Sequence, residues 1–448
     1  MAKNRSKKHI SVAFVALGCP KNIVDSERML AEIAQAGLII TADLQSADVI
    51  IINTCGFIEP AKQEAFDEIK NAVNRKTSGR VKKVIVAGCL SQRMGQQLFE
   101  QIDGIDAVVG LGQRDDIAQI IKQTLNSTKP RTYLAQSCQT VTDDRTRLLI
   151  TPPHSAYLRI SEGCDHKCSF CTIPAIRGRF RSKPQKHILA EACELVEAGV
   201  VELNVIAQDT AYYGRDFKIK NGLASLITEI EKIDRLKWLR LMYLYPAGFN
   251  QHLIETIAES QKIVHYFDIP IQHISDKILT DMKRPDSKEQ IIKLIENLRK
   301  AIPDIVLRTT LIVGFPGETD SQFTELLEFI EWARFDALGC FQYYPETGTP
   351  AALMPNQIPD NIKQQRVRDL MLTQQEIAFE KNAQRIGTEL TCLIDSAISK
   401  NSAKGRFYGQ APEIDSICII KNCSAPPGSF IQAKVTDSKQ YDLLVEKI

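Results

Sequence analysis

The sequence predicts an α/β protein in three parts: a doubly wound N-terminal domain, a central partial (βα)6 barrel and a small all-β barrel at the end. Two patterns carry this. Up to about residue 370, short continuous apolar runs alternate with longer segments of helical period, as buried parallel strands and their covering helices do. From about residue 382 the helical period stops, and short β-type runs separated by Gly and Pro turns replace it. A chain of 448 residues accommodates about three domains. We place them at 1–125, 155–378 and 382–448, with a linker at 126–154.

In the first part, strands are predicted at Ser11–Leu17, Asp48–Thr54 and Lys82–Ala87, with helices near Ile23–Ala36, Ala61–Asn74 and Gln92–Gln101. A cysteine follows each strand: Cys19 in Leu17-Gly18-Cys19-Pro20, Cys55 in Asn53-Thr54-Cys55-Gly56, and Cys89 in Ala87-Gly88-Cys89-Leu90. The carboxyl ends of parallel strands open on one edge, where ligands bind. Three thiols at three such ends can converge, and the adjoining glycines permit close backbone approach. The start of the chain imitates an export signal. Met1–His9 is basic, and Ala16-Leu17-Gly18-Cys19 resembles a lipoprotein cleavage box. The apolar core, Ile10–Leu17, is short and interrupted by Ser11, so it reads as a first buried strand.

The linker is punctuated by Lys129-Pro130 and Thr151-Pro152-Pro153. Its Cys138 has no partner at ligand spacing and stays unassigned.

Six strands are predicted for the central part: Ala156–Glu162, Glu202–Ala207, Trp238–Tyr245, Tyr266–Ile271, Val306–Gly314 and Asp336–Tyr344. Between the first two, Ile188, Ala192, Leu195, Val196 and Gly199 fall on one helical face. A later helix over Ile291–Leu298 is bounded by Pro303. Directly after the first strand stands the run Glu162-Gly163-Cys164-Asp165-His166-Lys167-Cys168-Ser169-Phe170-Cys171. In βα barrels the functional loops lie at that end of the strands. The spacing C-x3-C-x2-C supplies three thiolates, one fewer than the irons of a cubane, so one iron keeps an open position. A catalytic zinc is left one ligand short in the same way. A structural zinc needs a fourth ligand, and His166 sits too close in sequence to its neighbours to complete a tetrahedron. A disulfide framework belongs to small secreted chains. Cysteines buried only for packing do not cluster among Asp, His, Lys and Ser.

In the last part, Thr391–Ile394, Ser416–Ile420 and Phe430–Val435 read as strands around turns such as Pro426-Pro427-Gly428. Overall composition is that of a globular protein, 44% hydrophobic and 25% charged, with a net charge of +2. That balance gives no global nucleic-acid footprint. Residues 382–448 carry six Lys and two Arg against seven acidic residues, which leans toward a protein partner rather than tRNA phosphates. Twelve cysteines without secreted-type spacing fit a reducing cytoplasm. No run approaches the ~20 apolar residues of a membrane span.

The cysteine run resembles that of the radical S-adenosylmethionine superfamily, with Phe170 at its usual aromatic position. Taken with the three N-terminal cysteines and the terminal β-barrel, it makes nearly the whole chain look like a methylthiotransferase of that superfamily. The resemblance implies that Cys164, Cys168 and Cys171 hold a 4Fe-4S cluster whose open iron chelates S-adenosylmethionine. Cys19, Cys55 and Cys89 would hold an auxiliary 4Fe-4S cluster, and the last domain would be a TRAM domain. Family members insert sulfur into an unreactive C–H bond and methylate it. One S-adenosylmethionine is cleaved to a deoxyadenosyl radical, and another donates the methyl group.

The segment Gly18-Cys19-Pro20-Lys21-Asn22-Ile23-Val24-Asp25-Ser26-Glu27 is similar to that of the RimO branch, as is Ala411-Pro412-Glu413-Ile414-Asp415. The RimO branch forms 3-methylthioaspartate on ribosomal protein S-twelve, so that protein or the small ribosomal subunit is the implied partner. A tRNA adenosine is the alternative substrate, and a non-catalytic iron–sulfur or RNA-binding protein the alternative class. An electron donor of flavodoxin or ferredoxin type and a sulfur donor are also implied. Gly199 and Glu202 loosely match the superfamily's pattern for the methionyl amine; a helix cap followed by a strand-edge carboxylate is the plainer reading. Gly314, in Leu311-Ile312-Val313-Gly314-Phe315-Pro316-Gly317-Glu318, resembles the adenine-contacting stretch. Arg177, Arg179 and Arg181 read as a solvated basic loop that could bind carboxylates. Cys193, Cys340, Cys392, Cys418 and Cys423 lack ligand spacing and read as packing or exposed thiols.

Overall fold

A computed structural model describes residues 10–135 and 143–448; Cys138 lies outside them. The described chain forms two compact units. The first runs to Ile150 and includes Glu162–Asp165 and Thr172–Lys183; the second comprises Thr151–Ser161, His166–Cys171 and Pro184–Ile448.

The first unit is built on six strands: β1 (Ser11–Ala16), β2 (Ile39–Thr41), β3 (Val49–Thr54), β4 (Lys83–Gly88), β5 (Ala107–Val109) and β6 (Arg131–Tyr133). They form one parallel sheet in the order β2-β1-β3-β4-β5-β6. The three predicted strands are its centre. The three added strands have three residues each, too short for periodicity to reveal. Every residue of β3 is buried, as a central parallel strand requires. Ile51 packs with Met29, Ile33 and Ile117 on one face, while Ile50 and Ile52 face Ala72 on the other. The helices are α1 (Pro20–Gln35), α2 (Glu59–Ser78), α3 (Cys89–Met94), α4 (Gln97–Gln101) and α5 (Ile117–Leu125). The single helix predicted over Gln92–Gln101 is two, because Gly95 adopts φ +54° and breaks it.

Two-residue strands, β8 (Ser161–Glu162) and β9 (Arg181–Ser182), flank the cysteine run, and α6 (Ile173–Arg177) follows it. In the second unit, β7 (Ser155–Arg159), β10 (Glu202–Ile206), β11 (Trp238–Leu241), β12 (Ile263–Asp268), β13 (Val306–Val313) and β14 (Ala337–Gln342) pair in parallel and in sequence order. This is an open six-stranded barrel segment. Its helices are α7 (Gln185–Glu197), α8 (Gly222–Glu231), α9 (Gln251–Glu259), α10 (Asp276–Asp281), α11 (Lys288–Ala301) and α12 (Asp320–Ala333). Capping boxes start α11 at Ser287 and α12 at Thr319.

A 26-residue helix, α13 (Asp360–Arg385), leads to five further strands. These are β15 (Glu389–Ser399), β16 (Ser402–Phe407), β17 (Cys418–Lys421), β18 (Phe430–Lys439) and β19 (Asp442–Lys447), closed into a barrel. Closure removes the free edges that would invite aggregation. The sequence pattern revealed β15, β17 and β18. It missed β16 and β19, whose apolar positions are diluted by Lys, Arg, Asp and Glu. Among the described residues, no helix is long and apolar enough to cross a membrane.

Candidate metal centres

The sheet order of the first unit reverses direction between β1 and β3, the point where open α/β sheets bind ligands. Cys19 and Cys55 follow those two strands, and Cys89 follows β4 on the far side of β3. Cys19 is the extended N-cap of α1, with Pro20 pre-set for the first helical turn. Cys89 opens α3 after Gly88, which adopts φ +95°. A side chain on Gly18 would come 2.8 Å from Cys55 Cβ, and one on Gly56 2.7 Å from Leu90 Cα. The loops therefore meet almost backbone to backbone, which explains the glycines.

Asn22 fastens them together. Its Nδ2 donates to the carbonyls of Leu17 (3.0 Å) and Thr54 (2.8 Å), and its Oδ1 accepts from Cys89 Sγ (3.4 Å). Burial pushes the Cys55 thiol up, and the neighbouring Cys19 adds to this. Cys89 is pushed up to about 12 by burial, while the Arg177 guanidinium acts in the opposite sense. The three N-terminal cysteines thus share one electrostatic neighbourhood, and all are free thiols.

Arg177 departs from the solvated loop expected of it. It is buried at the end of α6, while Arg179 and Arg181 are exposed. Its Nη2 donates to Cys89 Sγ at 3.2 Å, Asn22 Oδ1 at 2.7 Å and Asp25 Oδ2 at 3.1 Å. Its Nη1 donates to both Glu162 carboxylate oxygens at 3.1 Å. No spacing rule links Arg177 to Cys89, so only the folded chain discloses this contact.

Of the second cysteine run, Cys164 donates its backbone N–H to Gly178 at 3.2 Å within the first unit. Cys168 and Cys171 belong to the second unit, where burial pushes the Cys168 thiol up and Arg284 opposes it. Phe170 packs on an apolar cluster containing Ile278, Met282, Phe315 and Tyr343. His166 stacks on Tyr245, with centroids 3.9 Å apart, and its Nε2 lies 2.6 Å from Asp209. The guanidinium of Arg284 covers the same Tyr245 ring at 4.1 Å. His166 is therefore held by an aromatic ring and a carboxylate that sequence spacing could not have paired with it.

Gly314 lies just past the carboxyl end of β13 with φ +72°. The Glu318 carboxylate accepts the backbone N–H groups of Gly314 and Phe315. Burial raises Glu318 to about 7, against the pull of Arg366.

Gly199 and Glu202 require a correction. Gly199 closes α7 in a Schellman motif, with Gly199 N–H bonded to Val196 (3.1 Å) and Val200 N–H to Leu195 (3.1 Å). Glu202 begins β10, at the amino end of the sheet, opposite the edge that serves as the functional face. Its carboxylate takes Arg406 Nη2 at 2.7 Å, Arg240 Nη2 at 3.1 Å and Ser155 Oγ at 2.8 Å. Glu202 thus ties the small barrel to the sheet, and its position does not support the cofactor role expected of it. Just past the carboxyl end of β10 stand Gln208 and Asp209, which no sequence pattern marks. Cys193 is exposed, Cys340 half-buried, and Cys392, Cys418 and Cys423 are buried.

The donor sets suit iron–sulfur clusters, since each supplies three free thiols, the ligand type that such clusters take. Gly88 offers a check. A Cβ there would fall against Asn53 and 2.6 Å from the Thr54 carbonyl oxygen, on a left-handed backbone. Gly88→Ala is expected to cost about 1–3 kcal/mol and to lower the iron bound per chain, as measured by urea unfolding and iron assay.

An open parallel barrel segment with three cysteines leaving its first strand defines the radical S-adenosylmethionine class, and residues 158–330 match the radical SAM superfamily. Residues 11–110 match uncharacterized protein family UPF0004, and residues 386–448 the TRAM domain. The chain is 45% identical over 437 residues to the ribosomal protein uS12 methylthiotransferase RimO of Citrifermentans bemidjiense, covering 97% of this chain and 98% of that one. It is 44% identical to the RimO of Clostridioides difficile, again over 97% and 98%. The chain belongs to the RimO family of radical SAM methylthiotransferases. Its fold is also similar to that of a radical S-adenosylmethionine methyltransferase, TsrM, from Kitasatospora setae. The TM-score is 0.56 at 13% identity, with 87% of this chain and 79% of that chain covered.

Proposed function

We infer that this protein is a methylthiotransferase that places sulfur and a methyl group on the β-carbon of an aspartate in ribosomal protein uS12, using S-adenosylmethionine and two 4Fe-4S clusters. The observation that carries this is identity over nearly the full chain to relatives named ribosomal protein uS12 methylthiotransferase. It favours uS12 over a tRNA adenosine and an enzyme over a non-catalytic cluster protein. In this reading Cys164, Cys168 and Cys171 hold one cluster, and Cys19, Cys55 and Cys89 the other. When bound, the first supplies radical chemistry from S-adenosylmethionine and the second serves sulfur delivery.

The chain's own residues hold the frame. Asn22 draws the three N-terminal loops together, and the His166–Asp209 and Phe170 contacts anchor the second run. Gly314, beside the Glu318 turn, is the candidate contact for the adenine. The segments 1–125, 155–378 and 382–448 divide the work into sulfur delivery, radical chemistry and substrate docking, with 126–154 as connection apart from Arg131–Tyr133, which joins the sheet of the first unit. An electron donor of flavodoxin or ferredoxin type, a sulfur donor and a cytoplasmic location complete the proposal.

Mass spectrometry of uS12 and of tRNA nucleosides from a deletion strain tests it. The expected result is uS12 lacking the mass of one methylthio group, restored by the gene in trans, with tRNA nucleosides unchanged. Unmodified tRNA adenosine with intact uS12 would overturn the substrate assignment.

A further inference from the structure

We propose that Arg177 is a positioning residue that sets the reduction potential of the cluster bound by Cys19, Cys55 and Cys89, through its contact with the Cys89 sulfur. The proposal rests on the assignment of those three cysteines as ligands. Hydrogen bonds to ligand sulfurs and local charge are among the main determinants of iron–sulfur potentials. Such outer partners also orient the ligands they touch.

Arg177 supplies both effects. Its guanidinium is buried and 3.2 Å from Cys89 Sγ, so its charge is screened far less than a surface cation's. A cation there stabilises the reduced, more negative cluster and raises its potential. The carboxylates around it moderate this. Glu162 chelates Nη1, and Asp25 contacts Nη2 while sharing its other oxygen with Arg114 at 2.8 Å. Arg114 in turn pairs with Asp144 at 2.9 Å, and Asp144 with Lys183 at 2.7 Å. The sulfur of Cys89 therefore meets the guanidinium directly, and Glu162 and Asp25 bind that same guanidinium. Removing Arg177 and removing Glu162 should move the potential in opposite directions. A guanidinium that only bridges α1 and α6 would give no such opposition.

The test uses full-length protein reconstituted with iron and sulfide in a Cys164→Ala, Cys168→Ala, Cys171→Ala background, so that one cluster gives one signal. The midpoint is read by EPR of the reduced cluster during a redox titration. Arg177→Met combined with Glu162→Gln removes the ion pair together, which a buried site tolerates better than losing one partner. This variant is expected to lower the midpoint, with the reduced-to-oxidised ratio at fixed poise falling about tenfold, or ~59 mV for one electron. Glu162→Gln alone is expected to raise the midpoint. Iron retained with unchanged midpoints in both variants overturns the proposal, as do shifts of the same sign. If the double variant fails to load, Glu162→Gln decides alone: a raised midpoint supports the role and an unchanged or lowered one refutes it. Should the background protein itself carry no iron, the ligand assignment has failed instead, a distinct result.

Discussion

Replacing Cys164, Cys168 and Cys171 together by alanine is expected to remove about half the iron of the reconstituted protein, one cubane of two, and to abolish 5′-deoxyadenosine formation. The complementary Cys19, Cys55 and Cys89 variant is expected to lose the other half, yet still to release 5′-deoxyadenosine without forming the methylthio product. The two outcomes differ because the cysteine sets are built separately. One set lies at the ends of β1, β3 and β4, fastened by Asn22. The other lies in a single loop after β7, beside Phe170 in its apolar seat. Iron assay, EPR and chromatography of the nucleoside product read the result. Unchanged iron in the first variant would show that the run does not hold a cluster.

Glu202→Gln is expected to destabilise the second unit by about 3–5 kcal/mol, because it takes the carboxylate from the buried Arg240, while Arg406 keeps its pairing with Asp395. Burial alone would push the Glu202 carboxyl up, but Arg406 and Arg240 hold it down to about 2. The folded value thus lies below the unfolded one of about 4.3. The stabilisation is fully present above that unfolded value and is lost as pH falls toward 2, on the order of 3 kcal/mol. The gap between wild type and Glu202→Gln should therefore be at its full width above pH ~4.3 and narrow as pH falls toward 2. Urea unfolding followed by circular dichroism at several pH values measures it. A constant gap across that range would mean that the carboxylate's charge contributes nothing.

Much of this architecture is legible because burial on both faces makes a parallel strand a continuous apolar run, as in Val49–Ile52 of β3. Barrel strands such as β10 and β12 are likewise buried along most of their length, whereas β14 is only half-buried. Elements of three residues, such as β2 and β5, and mixed strands such as β16, carry too little contrast to detect. At the candidate sites, the cysteines stand out because cluster ligation would need that residue type at strand ends. The supporting contacts do not, since Arg177 reaches Cys89 across 88 positions and His166 reaches Asp209 across 43. Glu202 misled for an instructive reason. A carboxylate next to a strand looks the same in sequence at either end, but the two ends of a parallel sheet face different surroundings. At the amino end it meets Arg406 of the small barrel.

The stitching of three loops by Asn22 concentrates their placement in one side chain. Its bonds to the Leu17 and Thr54 carbonyls and to the Cys89 thiol reach across 5, 32 and 67 positions of sequence. Segments that three different strands deliver are thus held in register by a single amide, and its loss would loosen all three together.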